Sequence, residues 1–330
     1  MRLVAQVRNK LMSYLLVLVL IIGLHQVVNA KETSFPVKSI TCIVPYSAGG
    51  GFDAYSRAIA KTLPKYLPNK VNVVVKNMLG AGGRRGSAVL YRSKPDGYTI
   101  GMLNPIGLAT NDLVKKSSQY DLNNYTYFAT CSRSVGGIFV ATNSKYNTIE
   151  DLQKAEKVKF ITGGRGSSTW LLGMLAKDVM DIPVFMVTGY SGTTEYITAL
   201  LRKDADALAF GTADFMIPYL QEGEIKSIMI FTRKVWEPMP EATTAKGTQY
   251  EEFADIIQDR VIAGPPGIPD KIASILQTAL LNALKDPELQ VWSKTTARPL
   301  YIADGKNTWQ NIKKTIELLK KYEKLLKYNF

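Results

Sequence analysis

The sequence predicts an α/β protein of two lobes built on largely parallel sheets. Three observations lead there. Past residue 38, short β-rich runs alternate with helical stretches, the pattern of βαβ units. At 330 residues the chain exceeds the comfortable size of a single hydrophobic core. Glycine recurs at one kind of place, directly after a strand and before a helix.

In order, Ser39–Pro45 reads as a strand, Asp53–Tyr66 as a helix and Lys70–Lys76 as a strand. A glycine loop, a helix near Gly83–Ser93 and the strand Tyr98–Leu103 follow. The turn before that strand is Pro95-Asp96-Gly97, where proline presets φ and glycine accepts the left-handed position. Thr126–Cys131 and Gly137–Ala141 are further strands, and Thr148 with Asp151 forms a capping box for the next helix. The alternation resumes with strand Val158–Thr162, helix Ser168–Val179, strand Val184–Val187 and helix Thr194–Arg202. Ala205–Phe210 and Ser227–Phe231 are strands, and Trp236–Tyr250 is a long surface loop. Gly264-Pro265-Pro266-Gly267-Ile268-Pro269 breaks the chain, with Pro269 placed to open a helix. The last twenty residues form one amphipathic helix, with Ile312, Ile316, Leu319, Tyr322, Leu326 and Phe330 on one face. Its lysine-rich face suits solvent or an anionic membrane surface; packing on the core is the plainer expectation.

The first thirty residues carry Arg2, Arg8 and Lys10, an apolar run from Leu15 to Leu24, and Val28-Asn29-Ala30. A basic start, a short apolar stretch and a small-residue exit make a secretory signal, with cleavage expected after Ala30. Removing it changes the composition in one decisive way. The only histidine, His25, goes with it, leaving 300 residues with 38 basic and 28 acidic side chains, a net charge of +10. Without histidine, Ser-His-Asp and Cys-His nucleophile arrangements lack their base. No cofactor or metal ligand set is expected either, since no CxxC or Cys/His cluster exists and Asp204, Asp206 and Asp214 have no recognised ligand spacing. Export argues against nucleic acid as the partner of a basic chain and for small anions. Cys42 and Cys131 lie in strand-like apolar runs, as two buried thiols or as a bridge.

Four strand–glycine–helix junctions stand out: Ser47–Gly51, Gly80–Gly83, Gly163–Ser168 and Gly189–Gly192. Glycine lets backbone approach a ligand closely, and the helix that follows offers unpaired N–H groups and the positive end of its dipole. That is an anion site made without a charged side chain. Two such loops in each half of the chain suggest one site built from both halves. Nucleotide binding is unsupported, because GxxxxGK[ST] and an in-register GxGxxG are both missing, and so is the Gly-x-Ser-x-Gly of hydrolases.

Ile43-Val44-Pro45-Tyr46-Ser47-Ala48-Gly49-Gly50-Gly51-Phe52-Asp53 with Arg57 resembles the opening of tripartite tricarboxylate transporter substrate-binding proteins, the Bug-type periplasmic receptors. Asn77, Gly80-Ala81-Gly82-Gly83, Pro95-Asp96-Gly97-Tyr98-Thr99, Gly163–Ser168, Gly189-Tyr190-Ser191-Gly192 and Ala263–Pro269 continue the resemblance in order over residues 36–330. It implies a two-lobed, type II-like periplasmic-binding-protein clamshell, each lobe a mainly parallel sheet flanked by helices. Lobe 1 would comprise residues 31–140 and 258–330, and lobe 2 residues 141–257. Carried over by position, ligand contacts would be Tyr46, Ser47, Gly50, Asp53, Gly82 and Asn104 from lobe 1. Lobe 2 would add Gly166, Ser167, Ser168, Tyr190, Ser191, Gly192 and Asp214. In such receptors backbone N–H groups and ordered water hold a ligand carboxylate.

The chain departs from the family's pattern at Leu79, where proline is usual, and at Ser191-Gly192-Thr193, which stands for Lys-Gly-Gly. Arg165 is basic where relatives are small or polar, and is either a bidentate clamp on a second carboxylate or a solvated loop residue. Asp53 would orient a ligand group, cap its helix, or both. The expected protein is a monomeric periplasmic receptor, not an enzyme, that delivers a small organic carboxylate to membrane permease subunits. Two other classes stay open: a ligand-sensing receptor for a signalling partner, and a secreted hydrolase using carboxylates such as Asp53 and Asp214.

Overall fold

Every strand of the computed structural model, which describes residues 35–114 and 119–328, belongs to one of two groups of sheets. The expected signal segment, residues 1–30, and Phe330 lie outside the described residues. The chain runs β1 (Ile40–Val44), α1 (Gly51–Thr62), β2 (Val73–Asn77), α2 (Arg84–Tyr91), β3 (Thr99–Leu103) and α3 (Pro105–Val114). It continues through β4 (Thr126–Ser134), β5 (Gly136–Ala141), α4 (Ile149–Gln153), β6 (Val158–Ile161), α5 (Ser168–Asp178) and β7 (Val184–Val187). Then come α6 (Thr193–Leu201), β8 (Leu208–Phe210), α7 (Ile217–Gln221), β9 (Ile225–Phe231) and β10 (Gln258–Gly264). The last elements are α8 (Asp270–Leu284), α9 (Pro287–Thr295), β11 (Ala303–Asp304), α10 (Gly305–Lys320) and α11 (Glu323–Tyr328).

The first sheet has six strands in the order β11-β4-β10-β3-β1-β2. The second group pairs β8-β5-β9 and, beside them, β6-β7, joined to the rest by a parallel bridge between Phe160 and Ala207. The chain leaves the first sheet after Ser134 and re-enters it at Gln258. The expected α/β architecture with two lobes is present, but its sheets are mixed rather than mainly parallel. β1 runs parallel to β2 and β3, and β6 to β7, whereas β10 is antiparallel to β3 and β4, and β5 to β8 and β9. The reason is the double crossing. A chain that leaves a lobe on one strand and returns on its neighbour must pair those strands antiparallel, as β4 does with β10 and β5 with β9.

Local chemistry sets the element ends. Thr148 and Asp151 make the predicted capping box at α4. Pro269 stands immediately before α8, at its N-cap. Helix α3 escapes sequence analysis because it is buried throughout Pro105–Asn111, so no polar face marks its period. The C-terminal amphipathic stretch is two helices, α10 and α11, meeting at Lys321-Tyr322. Ile312, Leu319, Tyr322 and Leu326 are buried in the core, and the Tyr322 hydroxyl donates to Glu252 Oε1 at 2.9 Å. The apolar face therefore lies on protein, and no described helix is long and apolar enough to cross a membrane. One apolar cluster runs through both lobes, from Ile43 and Leu103 by way of Trp170 and Leu171 to Ile138.

Both cysteines are free and buried, Cys42 on β1 and Cys131 on β4, where its thiol donates to the Arg260 carbonyl at 3.4 Å. Burial pushes each thiol up to about 12, so neither forms thiolate at neutral pH. The native protein is accordingly expected to be inert to Ellman's reagent and to show two thiols once denatured. Fewer than two on denaturation would mean a bridge.

Candidate functional site

The loop after β1 is fixed by a carboxylate that points away from any ligand. Asp53 is 2% exposed and sits at the third position of α1, not at its cap, which is Gly50. Its Oδ2 accepts from the Gly49 N–H at 2.9 Å and from Arg57 Nε at 2.8 Å, and its Oδ1 accepts from Asn77 Nδ2 at 2.9 Å. The same Asn77 amide donates to the Tyr46 carbonyl at 2.9 Å, so Asp53, Arg57 and Asn77 together set the path of residues 46–49. Burial pushes the Asp53 carboxyl up, but the bonds from Arg57, Gly49 and Asn77 outweigh it and hold the group below the usual aspartate range. Asp53 is thus not the helix cap; its carboxylate is taken up in fastening the loop of residues 46–49. The second lobe repeats the device, with Ser191 N–H donating to Glu195 Oε2 at 2.7 Å, again at the third position of its helix.

All four glycine loops converge between the lobes. Ser47 N–H donates to the Ser191 carbonyl at 3.4 Å, Asn104 Nδ2 to Ser168 Oγ at 3.3 Å, and Asn111 Nδ2 to the Gly166 carbonyl at 3.0 Å. Close approach accounts for the glycines. A side chain at Gly192 would begin 2.1 Å from Ser47 Oγ across the cleft, and one at Gly166, where φ is +78°, 2.3 Å from Asn111 Oδ1.

Two adjoining chambers result. The outer one, about 220 Å³, is lined by Gly80–Gly83, Gly163 and Gly189–Ser191. The inner one, about 20 Å³ as the lobes stand, is lined by Gly50, Gly51 and Phe52 from α1, Ser167 to Thr169 from α5 and Gly192 and Thr193 from α6. Tyr46 and Tyr196 border both. The Tyr46 hydroxyl accepts from Asn104 Nδ2 at 2.9 Å and donates to the Gly82 carbonyl at 3.4 Å, and burial pushes its phenol far above the usual value. The starts of α1, α5 and α6 all face the inner chamber, each carrying N–H groups without intrahelical partners and roughly half a positive charge. Thr212 Oγ1 and Gln258 Oε1 also line it, and, like Ser47 Oγ beside it, are buried without a protein partner. Such buried orphans are rare. The helix-start N–H groups and the two hydroxyls can donate to an anion, while Gln258 Oε1 can only accept.

Of the residues expected from sequence, Tyr46, Gly50, Asn104, Ser167, Ser168 and Gly192 line the inner chamber, and Tyr46, Gly82, Tyr190 and Ser191 the outer one. Ser47 lies against Gly192, and Gly166 stands behind the wall on Asn111. Three of the expected residues lie outside both linings. Asp53 turns away, as described. Arg165 is exposed and lines neither chamber, because the tight turn of Gly164 and Gly166 aims it outward. Asp214 lies outside both linings, its amide donating to Ser134 Oγ at 3.5 Å near the crossing between lobes. Burial raises its carboxyl above the usual range, opposed by Ser134, Arg260 and Trp236.

Several inner-chamber residues were missed, Tyr196, Thr212, Gln258 and Arg260 among them. Arg260 on β10 is 3% exposed and lines the chamber beside Gln258. Period-two alternation along Gln258-Asp259-Arg260 puts the first and third on one face, while Asp259 pairs with Arg133 at 2.8 Å on the other. The polar start of an otherwise apolar strand was the available signal.

Comparison with known proteins is consistent with this architecture. The profile described as Tripartite tricarboxylate transporter family receptor matches residues 55–327. A UPF0065 protein of Agrobacterium vitis, from the TAR-I ttuE–ttuC' intergenic region, is 26% identical over 290 residues, 86% of this chain and 81% of that protein. The periplasmic binding protein BugD superposes with a TM-score of 0.80 at 21% identity, over 88% of this chain and 98% of BugD. MatC of Rhodopseudomonas palustris with bound malate gives 0.78 at 20% identity, over 88% and 100%.

Replacing Asp53 by Ala strands the Gly49 N–H, Arg57 and Asn77, and should cost about 2–3 kcal/mol in denaturant unfolding at pH 7. Because the folded carboxyl titrates below its unfolded value, this contribution is present above about pH 4 and is lost as pH falls through the folded value. The gap between wild type and Asp53→Ala should therefore narrow in acid; a constant gap would refute the ionic role.

Proposed function

The chain belongs to the tripartite tricarboxylate transporter receptor family, and from that premise we propose that it is a periplasmic receptor that captures a small organic carboxylate between its lobes. It then presents the ligand to membrane permease subunits. The single observation that carries the reading is the inner chamber, where three helix N-termini from two lobes meet around buried polar atoms that lack protein partners. A carboxylate oxygen accepts from the helix-start N–H groups and from the Ser47 and Thr212 hydroxyls, in charge-assisted bonds of about 1.5–3 kcal/mol each. A few suffice for micromolar affinity, about −8 kcal/mol. The solved relative with malate bound, MatC, is a carboxylate binder of the same fold.

The mechanism follows from the two crossings. Each lobe carries half of the donors, so ligand binds fully only when both halves meet, and hinge motion at the crossings near Val135 and before Gln258 brings them together. The chamber of about 20 Å³ holds little more than one water. A carboxylate therefore enters while the lobes stand apart and is seated with a wider gap between them. Closure itself is the signal a permease reads, since the joined rim exists only in the closed form. Residues 1–30 serve as the export signal in this reading, and the mature chain acts as a monomer without chemistry of its own.

A thermal-shift panel of mono-, di-, tri- and aromatic carboxylates tests this. Bound acids should raise the unfolding free energy by RT ln(1 + [L]/Kd), about 2.7 kcal/mol at a hundredfold excess over Kd. No shift with any organic acid at millimolar concentration would overturn the receptor reading.

A further inference from the structure

Arg260 carries the only formal charge on the inner-chamber lining. Its guanidinium is held from three sides. Nη1 donates to Ser132 Oγ at 3.1 Å, and Cζ lies 5.1 Å from the Phe52 ring centroid and 4.8 Å from that of Tyr55. Its Nε is buried without a hydrogen-bond partner, and among the described residues no carboxylate forms an ion pair with it. Asp214 feels the Arg260 charge from outside the lining, without contact pairing, and bonds towards Ser134. A desolvated guanidinium without a carboxylate in contact is costly, and this one adds a full charge to three helix ends of the same sign. The aromatic contacts hold the cation in place but do not neutralise it.

We propose that Arg260 is the specificity-determining residue of this receptor: it takes one carboxylate of a dicarboxylate ligand directly, while the glycine loops of the outer chamber hold the other. This rests on the receptor reading above and deepens it. The two chambers adjoin at Tyr46 and Tyr196, so an extended dianion passing between the two rings has a cation at its inner end. At its outer end it meets the backbone around Gly82 and Ser191. Capture at the inner end is then by a planar, always-charged fork that matches a carboxylate, rather than by amides and water alone. Gly51 belongs to the same device. A Cβ there would stand 2.6 Å from Arg260 Nη2 and 3.2 Å from Phe215, and a guanidinium boxed by Phe52, Tyr55 and Ser132 cannot yield without leaving its position.

The test is calorimetric titration of the purified protein with succinate, glutarate and adipate, each beside its monoamide, succinamate, glutaramate and adipamate. Wild type should hold its preferred dicarboxylate about tenfold or more tighter than the matching monoamide, as one charge-assisted contact predicts. In Arg260→Gln that ratio should fall to within about threefold, with Arg260→Lys between, since lysine keeps the charge but loses the fork. Gly51→Ala should lower the ratio in the same direction, and it decides the matter if Arg260→Gln fails to fold by circular dichroism. A ratio unchanged in the folded variants, or equal losses for diacid and monoamide, overturns the proposal and leaves the receptor reading standing. Wild-type binding of carboxylates without preference for the diacid does the same. No binding of any carboxylate by wild type overturns both.

Discussion

Two sheets that share no strand form one site here because the loops facing each other carry almost no side chains. Gly192 packs on Ser47, Gly82 on Ser167 and Gly166 on Asn111, each at a distance that a Cβ would violate or strain. This near-contact of bare backbone brings the N-termini of α1, α5 and α6 into one chamber. Like-signed helix ends repel, so the arrangement is favourable only where something negative or strongly polar is gathered between them. The loop geometry and the electrostatic character of the site are therefore consequences of the same constraint.

Holding bare loops in fixed positions needs other residues, and these lie just outside the chamber. Asp53 with Arg57 and Asn77 fastens the first loop, and Glu195 fastens its counterpart. In each case an acid at the third helix position reaches back to a loop N–H, satisfying a donor while leaving the cap itself to glycine. Charge that maintains the loop is thus separate from charge on the chamber wall: Asp53 is balanced locally by Arg57, whereas Arg260 faces the chamber.

Much of the fold was legible because its signals are local. Strand–helix alternation, the Thr148–Asp151 box and the break at Gly264–Pro269 all act over a few residues, and each appears where the periodicity puts it. The direction of β4 and β10 was not legible, since strand pairing across a double crossing involves residues more than a hundred positions apart, such as Arg133 and Asp259. Helix α3 was invisible for the opposite reason, being buried on every side.

The site divides in the same way. By itself the sequence pointed to glycine, backbone N–H groups and helix starts as the material of the site, because it has no histidine beyond residue 25 and four junctions of one kind. It also carried the family resemblance on the order of those junctions. Only the tertiary structure decided which charged residue joins them. Asp53 and Arg165 stand at the glycine junctions and draw attention while Arg260, within a strand, does not, because a side chain's partner depends on strand face and loop direction. The fold turns Asp53 onto Arg57, aims Arg165 at solvent and points Arg260 inward with its Nε unpaired. Charge in a sequence has a sign and a position; only packing gives it a direction and takes away its water.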